Sequence, residues 1–183
     1  AGVASYYSNL GAAQRATGDL DAAAQSFRHA LKIQPASPIA WRSLTEVLDQ
    51  LGDFETLDET LDQWVQATPD SVQARQQRAA QHTAQHRISL AVSDLRECAR
   101  LSPNSSEPLL QSAILLHQMG DDAGALEDFR AARDRYFTHE QLGLSTVQSK
   151  LDHDIEQARW LVDNGHAPEQ FLEIAQAYEA TRE

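Results

Sequence analysis

The chain has 183 residues, 27 acidic against 15 basic, and a formal net charge of -12. It contains no run of about 18 apolar residues that could span a membrane. The acidic balance argues against general binding of nucleic acid, because that affinity comes mainly from neutralised phosphates. The single cysteine, Cys98, excludes an internal disulfide framework and fits a reducing, cytoplasmic location, and equally a cysteine-poor periplasmic protein. The chain lacks an initiator Met and begins inside a helical pattern, so we expect a fragment or a processed protein.

Prolines and turn residues recur along the chain at one fixed spacing. Pro35, Pro69 and Pro103 are 34 residues apart, and the register of this 34-residue repeat holds over residues 4–139 without an insertion. Each unit reads as two antiparallel helices, because glycine supplies positive φ at the turn and proline stops the second helix. We call the residues at one equivalent position of the four units a column. The six informative columns are Tyr7, Trp41, Arg75 and Leu109; Gly11, Thr45, Ala79 and Ala113; Gly18, Gly52, His86 and Gly120; Ala23, Leu57, Ala91 and Ala125; Phe27, Leu61, Leu95 and Phe129; and Ala30, Trp64, Cys98 and Ala132.

The first unit shows why some columns hold small side chains and others hold large ones. Small residues such as Gly11 and Ala23 let its two helices approach closely, and Phe27 fills the space beside them. One helix pair cannot bury its apolar faces alone, so neighbouring pairs must stack. The predicted units are residues 4–37, 38–71, 72–105 and 106–139.

The third unit departs from this pattern in its first helix, "QARQQRAAQHTAQHR". Arg75, Arg78 and His82 stand where large apolar residues are expected, and His86 replaces the turn glycine. We expect the arginines either to extend past their neighbours or to pair with acids of adjacent units, such as Asp58 or Glu59. This helix should therefore be the most weakly packed of the array.

Residues 140–183 leave the repeat register. Apolar residues from Leu144 to Val162 step by three or four and predict a helix that ends near Gly165. Pro168 suits the first turn of a last helix. These two helices are expected to cap the fourth unit, which gives ten helices in all.

The first unit, "YYSNLGAAQRATGDLDAAAQSFRHALKIQP", resembles the tetratricopeptide repeat at Tyr7, Leu10-Gly11, Ala23, Phe27, Ala30 and Pro35. The second and fourth units match the same pattern less completely. The resemblance implies an all-α fold, a right-handed superhelix of antiparallel helix pairs of the α-solenoid type. It also implies a concave groove, lined by the first helices, that holds a peptide or a partner protein.

Carrying the family's groove positions onto this sequence gives a polar, glutamine-rich surface with an apolar end. Glutamine and asparagine amides both donate and accept, so they suit the backbone of an extended peptide. The partner-binding residues so predicted are Asn9, Arg15, Arg42, Glu46, Asp49, Gln73, Gln76, Gln77, Leu110, Gln111, Ile114 and His117.

Other candidate sites fit ordinary structural roles better. His82 and His86 share the i, i+4 spacing that can begin a zinc site, but no third ligand lies in their unit. The acidic group around Asp152 fits a solvated helix surface, and Cys98 fits a buried, inert thiol. No catalytic constellation, phosphate-binding loop, metal site or cofactor site is predicted.

We therefore predict a non-enzymatic scaffold that binds a protein or peptide. Binding of chaperone C-terminal tails is disfavoured, because the positions of the family's cationic clamp hold Ser8, Ala12, Ser43, Gln73 and Gln77. Starting one unit later gives Arg42, Glu46, Gln77, Glu107 and Gln111, which also fails. Nucleic-acid binding would rest on the few arginines of residues 71–93 alone.

The alternative function is that of an accessory region in a larger enzyme. "KLDHDIEQARWLVDNG", from Lys150 to Gly165, is similar to a segment that follows repeats in some bacterial proteins with a downstream 2-oxoglutarate/iron(II) oxygenase domain. No His-x-Asp or His-x-Glu occurs in the chain, so the metal triad of such an enzyme is absent. On this interpretation the chain recruits a substrate or partner.

Overall fold

A computed structural model describes residues 2–139, which form eight α-helices and no strand. The all-α helical-repeat fold is thereby confirmed for this part of the chain. The two capping helices, the acidic group around Asp152 and the oxygenase-like segment lie outside the described residues. The helices are α1 (Gly2–Ala16), α2 (Leu20–Ile33), α3 (Pro38–Leu51), α4 (Phe54–Ala67), α5 (Val72–Ala84), α6 (Ile88–Leu101), α7 (Glu107–Gln118) and α8 (Asp122–His139).

The turn inside each helix pair has the same backbone conformation at one column. Gly18, Gly52 and Gly120 have φ angles of 83°, 70° and 82°, and His86 has a φ of 57°. His86 is the one non-glycine residue with positive φ among residues 2–139. The left-handed conformation ends the first helix, and it is strained for a residue that carries a Cβ. The prediction that His86 stands in for a turn glycine is confirmed.

The second helix of most pairs begins with an aspartate cap. The carboxylates of Asp19 and Asp53 each accept a hydrogen bond at 3.2 Å from the backbone N–H three residues ahead. Asp121 accepts the equivalent bond at 3.0 Å. Arg87 holds this place before α6 and makes no side-chain cap. The third repeat thus lacks both its turn glycine and its capping acid.

The chain divides into two compact units, residues 1–78 and 79–183, and the boundary falls within α5. The core of the first unit is built on two tryptophans, Trp41 and Trp64, which stack with ring centroids 6.3 Å apart and an interplanar angle of 10°. Phe27 lies beside Gly11, where an added Cβ would sit 2.9 Å from its ring. The expected close approach of α1 and α2 at Gly11 is confirmed.

The second unit is described over residues 79–139. Leu95 and Phe129 pack in its core with alanines of the small columns, Ala79, Ala91 and Ala113. Cys98 is fully buried, as expected for an inert thiol. Helix α8 spans 18 residues, whereas α2, α4 and α6 each span 14. The reason is local, because proline follows each shorter helix and no proline interrupts α8.

None of the helices within residues 2–139 combines the length and the apolar character that a helix needs to cross a bilayer.

Candidate partner-binding site on the first helices

Three of the predicted groove residues form an ion-paired cluster on the first unit. Arg15 of α1 forms an ion pair and hydrogen bond with Glu46 of α3. Arg42, one turn before Glu46, approaches the same carboxylate with its Nε 3.6 Å from Oε1. The side chains of Arg15, Arg42 and Glu46 are 35%, 52% and 45% exposed. The sequence-predicted surfaces of α1 and α3 are therefore adjacent and open to solvent.

Five more predicted residues of the same unit offer unused polar groups. Asn9, Asp49, Gln76 and Gln77 are exposed, and Gln73 is half-buried. Within the described residues none of these five side chains makes a hydrogen bond or ion pair. We use the name first-helix face for these five predicted residues and the ion-paired cluster, namely Asn9, Arg15, Arg42, Glu46, Asp49, Gln73, Gln76 and Gln77.

The four predicted residues of α7 lie in the second unit, and each already has a contact there. The Gln111 amide donates to Glu107 Oε1 at 2.8 Å. His117 Nδ1 lies 2.6 Å from Asp122 Oδ1 at the start of α8. Leu110 and Ile114, the expected apolar end of the groove, are half-buried against the core of this unit. Much of their apolar surface therefore belongs to the core.

The arginines of α5 are held by the protein itself. The Arg75 guanidinium donates to the Pro69 carbonyl from Nε at 3.2 Å and from a terminal nitrogen at 3.1 Å. Arg78 forms a 2.9 Å ion pair with Asp62 of α4. Pairing with an acid of the neighbouring repeat is thus confirmed for Arg78, and the acid in this contact lies one turn beyond the expected Asp58. These engaged arginines do not form an open basic strip.

The two histidines of this region have different surroundings. His82 is half-buried, with Nε2 4.0 Å from Asp94 Oδ2, and the Asp94 side chain is only 4% exposed. His86 is exposed at the turn. Among the residues with described placement, no group of three or more histidine, cysteine or acidic side chains could hold a metal ion.

The second helices also share a column of buried polar residues, which the apolar and turn pattern of the sequence does not predict. Ser26, Thr60, Asp94 and Asp128 occupy the same position in successive second helices, and each is at most 5% exposed. The Ser26 hydroxyl donates to Gln14 at 2.6 Å, and Asp128 accepts bonds from Arg96 at 3.0 Å and from Ser112. Their regular spacing along the chain is the sequence signal of this column, because each lies one repeat after the last.

Helix pairs that recur in one register define a helical-repeat protein. Residues 4–37 match the family model described as "Tetratricopeptide repeat", so this segment is a tetratricopeptide repeat. No curated protein sequence matches the chain.

Solved structures share the fold. MamA from Desulfovibrio magneticus RS-1, from its residue 41 to its end, is 17% identical, with 75% of this chain and 77% of that chain covered and a TM-score of 0.57. A further structure of MamA is also 17% identical; the match covers 88% of this chain and 94% of that chain, with a TM-score of 0.59. The first TPR of Spaghetti (RPAP3), bound to the HSP90 peptide SRMEEVD, is 17% identical. The match covers 64% of this chain and 94% of that chain, with a TM-score of 0.53.

Proposed function

We propose that the chain is a protein-interaction scaffold and that the first-helix face of its first unit binds an extended peptide segment of a partner protein. The observation that carries this proposal is the joining of α1 and α3 by the exposed Arg15–Glu46 pair, in a unit whose first helices also carry polar side chains without partners among the described residues. The tetratricopeptide repeat at residues 4–37 supports it, because helical repeats present extended binding surfaces.

The chemistry of the face favours a peptide with little net charge. Glu46 offsets part of the charge of Arg15 and Arg42, and Asp49 adds an acid one turn further along α3. The amides of Gln76 and Gln77 can donate to peptide carbonyls and accept from peptide N–H groups. Such groups recognise backbone rather than a particular charged side chain, so we expect modest affinity and broad sequence tolerance.

The solved RPAP3 repeat holds an acidic peptide, SRMEEVD. The positions predicted for a chaperone-tail clamp in the present chain include Ser43, Gln73 and Gln77, none of which carries a positive charge. A peptide of that composition would gain little ion pairing here. We therefore keep the proposal that chaperone C-terminal tails are poor ligands.

The direct test is selection of short peptides from a random displayed library on the whole chain. The best peptide is then titrated by fluorescence anisotropy against the wild type and against the double variant Arg42→Glu with Gln77→Glu. We expect the variant to bind at least about ten-fold more weakly, because both changes place acids on the first-helix face.

The matched control is Arg130→Glu with Gln66→Glu, which makes the same change in net charge at exposed positions of second helices. We expect this control to bind the peptide as the wild type does. Equal affinity of the two double variants would refute the proposal, provided that circular dichroism shows both to be folded.

The accessory-region alternative depends on Lys150–Gly165, which lie outside the described residues, and it stays a prediction. This alternative is compatible with a first unit that binds a partner. The non-enzymatic character and the cytoplasmic location likewise stay predictions drawn from the sequence.

A further inference from the structure

The first unit contains a cavity that the first-helix face does not include. It has a volume of about 420 Å³ and lies among α2, α3 and α4. Trp41 and Leu44 of α3 form its floor, and Arg28 and Lys32 of α2 line one wall. Glu59 and Thr60 are among the α4 residues that also line it. The cavity thus combines an apolar floor with polar and charged walls, as ligand sites do.

The cavity and the first-helix face use different sides of α3. Leu44 is two residues beyond Arg42, which places the two side chains roughly 200° apart around the helix. Leu44 is 2% exposed, whereas Arg42 points to solvent. Substitutions at one site therefore need not disturb the other, and the proposal below does not depend on the proposed function.

Polar groups around the cavity lack partners within the protein. Arg28 and Lys32 are exposed, and within residues 2–139 neither side chain makes an ion pair or hydrogen bond. These two cations at the edge of the cavity are therefore available to pair with an acidic group of a ligand.

We propose that this cavity binds an extended segment of a partner protein in which an aromatic residue is followed by one acidic residue. The aromatic ring enters over Trp41 and Leu44, where apolar surface and an aromatic neighbour favour it. The carboxylate pairs with Arg28 and Lys32. Glu59, which also lines the cavity, repels further acids, so the motif carries a single negative charge rather than an acidic run.

The test uses three capped tetrapeptides and the ¹⁵N-labelled full chain. They are Ac-Gly-Trp-Glu-Gly-NH₂, its Gln analogue, which removes the charge, and Ac-Gly-Ala-Glu-Gly-NH₂, which removes the ring. We expect the first to shift the backbone amides of Arg28, Lys32 and Gln63 in a saturable way. The Gln analogue should bind about five-fold more weakly, and the Ala analogue should cause no saturable shift.

Two variants separate this cavity from other surfaces. Arg28→Ala with Lys32→Ala should bind the Glu and Gln peptides equally, because the paired cations are gone. Arg130→Ala, at an exposed position of α8 outside both sites, should bind both as the wild type does. The proposal is overturned if the backbone amides of Arg28, Lys32 and Gln63 do not shift, or if the Glu and Gln peptides bind the wild type equally. It is also overturned if the saturable shifts fall on the first-helix face.

Discussion

Arg75 donates two hydrogen bonds to the carbonyl of Pro69, as the indole of Trp41 donates one to the carbonyl of Pro35 one repeat earlier. The Trp41 bond is 2.7 Å long. Both donors occupy the same column of the repeat, and both acceptors are the proline that precedes the first helix. An arginine in a column otherwise held by apolar or aromatic residues is thus explained by the hydrogen bond it keeps.

This relationship predicts different stabilities for two variants at position 75. Arg75→Met keeps a long side chain but removes the donor, so the free energy of unfolding should fall by about 1 kcal/mol. Arg75→Trp restores an N–H in the column and should lose less than Arg75→Met. Urea unfolding followed by circular dichroism measures the difference. A methionine variant as stable as the wild type would show that the hydrogen bonds from Arg75 to the Pro69 carbonyl do not stabilise the fold.

A second prediction concerns the turn of the third repeat. His86→Gly should raise the free energy of unfolding by about 1 kcal/mol, because a positive φ strains a residue with a Cβ and does not strain glycine. Gly52→Ala, at the equivalent turn, is the reverse change and should lower stability by a similar amount. Thermal unfolding of both variants checks the pair. A loss of stability in His86→Gly would mean that the imidazole makes a contact worth more than the strain.

The close approach at Gly11 gives a third prediction. Gly11→Ala should lower stability by about 1 to 3 kcal/mol despite the better helix propensity of alanine, because the new Cβ would meet the ring of Phe27, which is 1% exposed. Gly2→Ala in the same helix meets no atom within 4 Å and should not destabilise the chain. Removing the ring in Gly11→Ala with Phe27→Leu should recover part of the loss; no recovery would place the strain elsewhere.

The buried acid of the second unit supports a fourth prediction. The Asp128 carboxylate, 7% exposed, binds both Arg96 and Ser112. Its hydrogen bond raises the pKa of Arg96, so this stabilisation is present below the ordinary arginine pKa and is lost only in stronger alkali. Asp128→Asn should therefore lower the free energy of unfolding at neutral pH by about 2 kcal/mol, and Ser112→Ala by about half as much. Chemical unfolding checks both, and equal losses would contradict the ion pair's larger share.

The sequence was sufficient for the fold because each repeat column follows from a simple physical demand. Gly18 is needed at a positive φ, and Gly11 is needed where a ring leaves no room for a Cβ. The pairing of Arg15 with Glu46 could not be read in the same way, since it depends on rotamers of two exposed side chains in different repeats. The cavity floored by Trp41 and Leu44 was also beyond the sequence, because three helices must pack before its volume exists.

The weak packing expected for the first helix of the third repeat leads to the last prediction. Ala74 and Ala79 are the buried residues of α5, whereas α3 buries Trp41 and Leu44 among others. Alanines bury little apolar area, and the arginine bonds of α5 lie near the surface, where water competes for them. We expect the amides of α5 to exchange with solvent at least about ten-fold faster than those of α3 in native-state hydrogen exchange. Equal protection of the two helices would show that the bonds of Arg75 and Arg78 compensate for the missing apolar side chains.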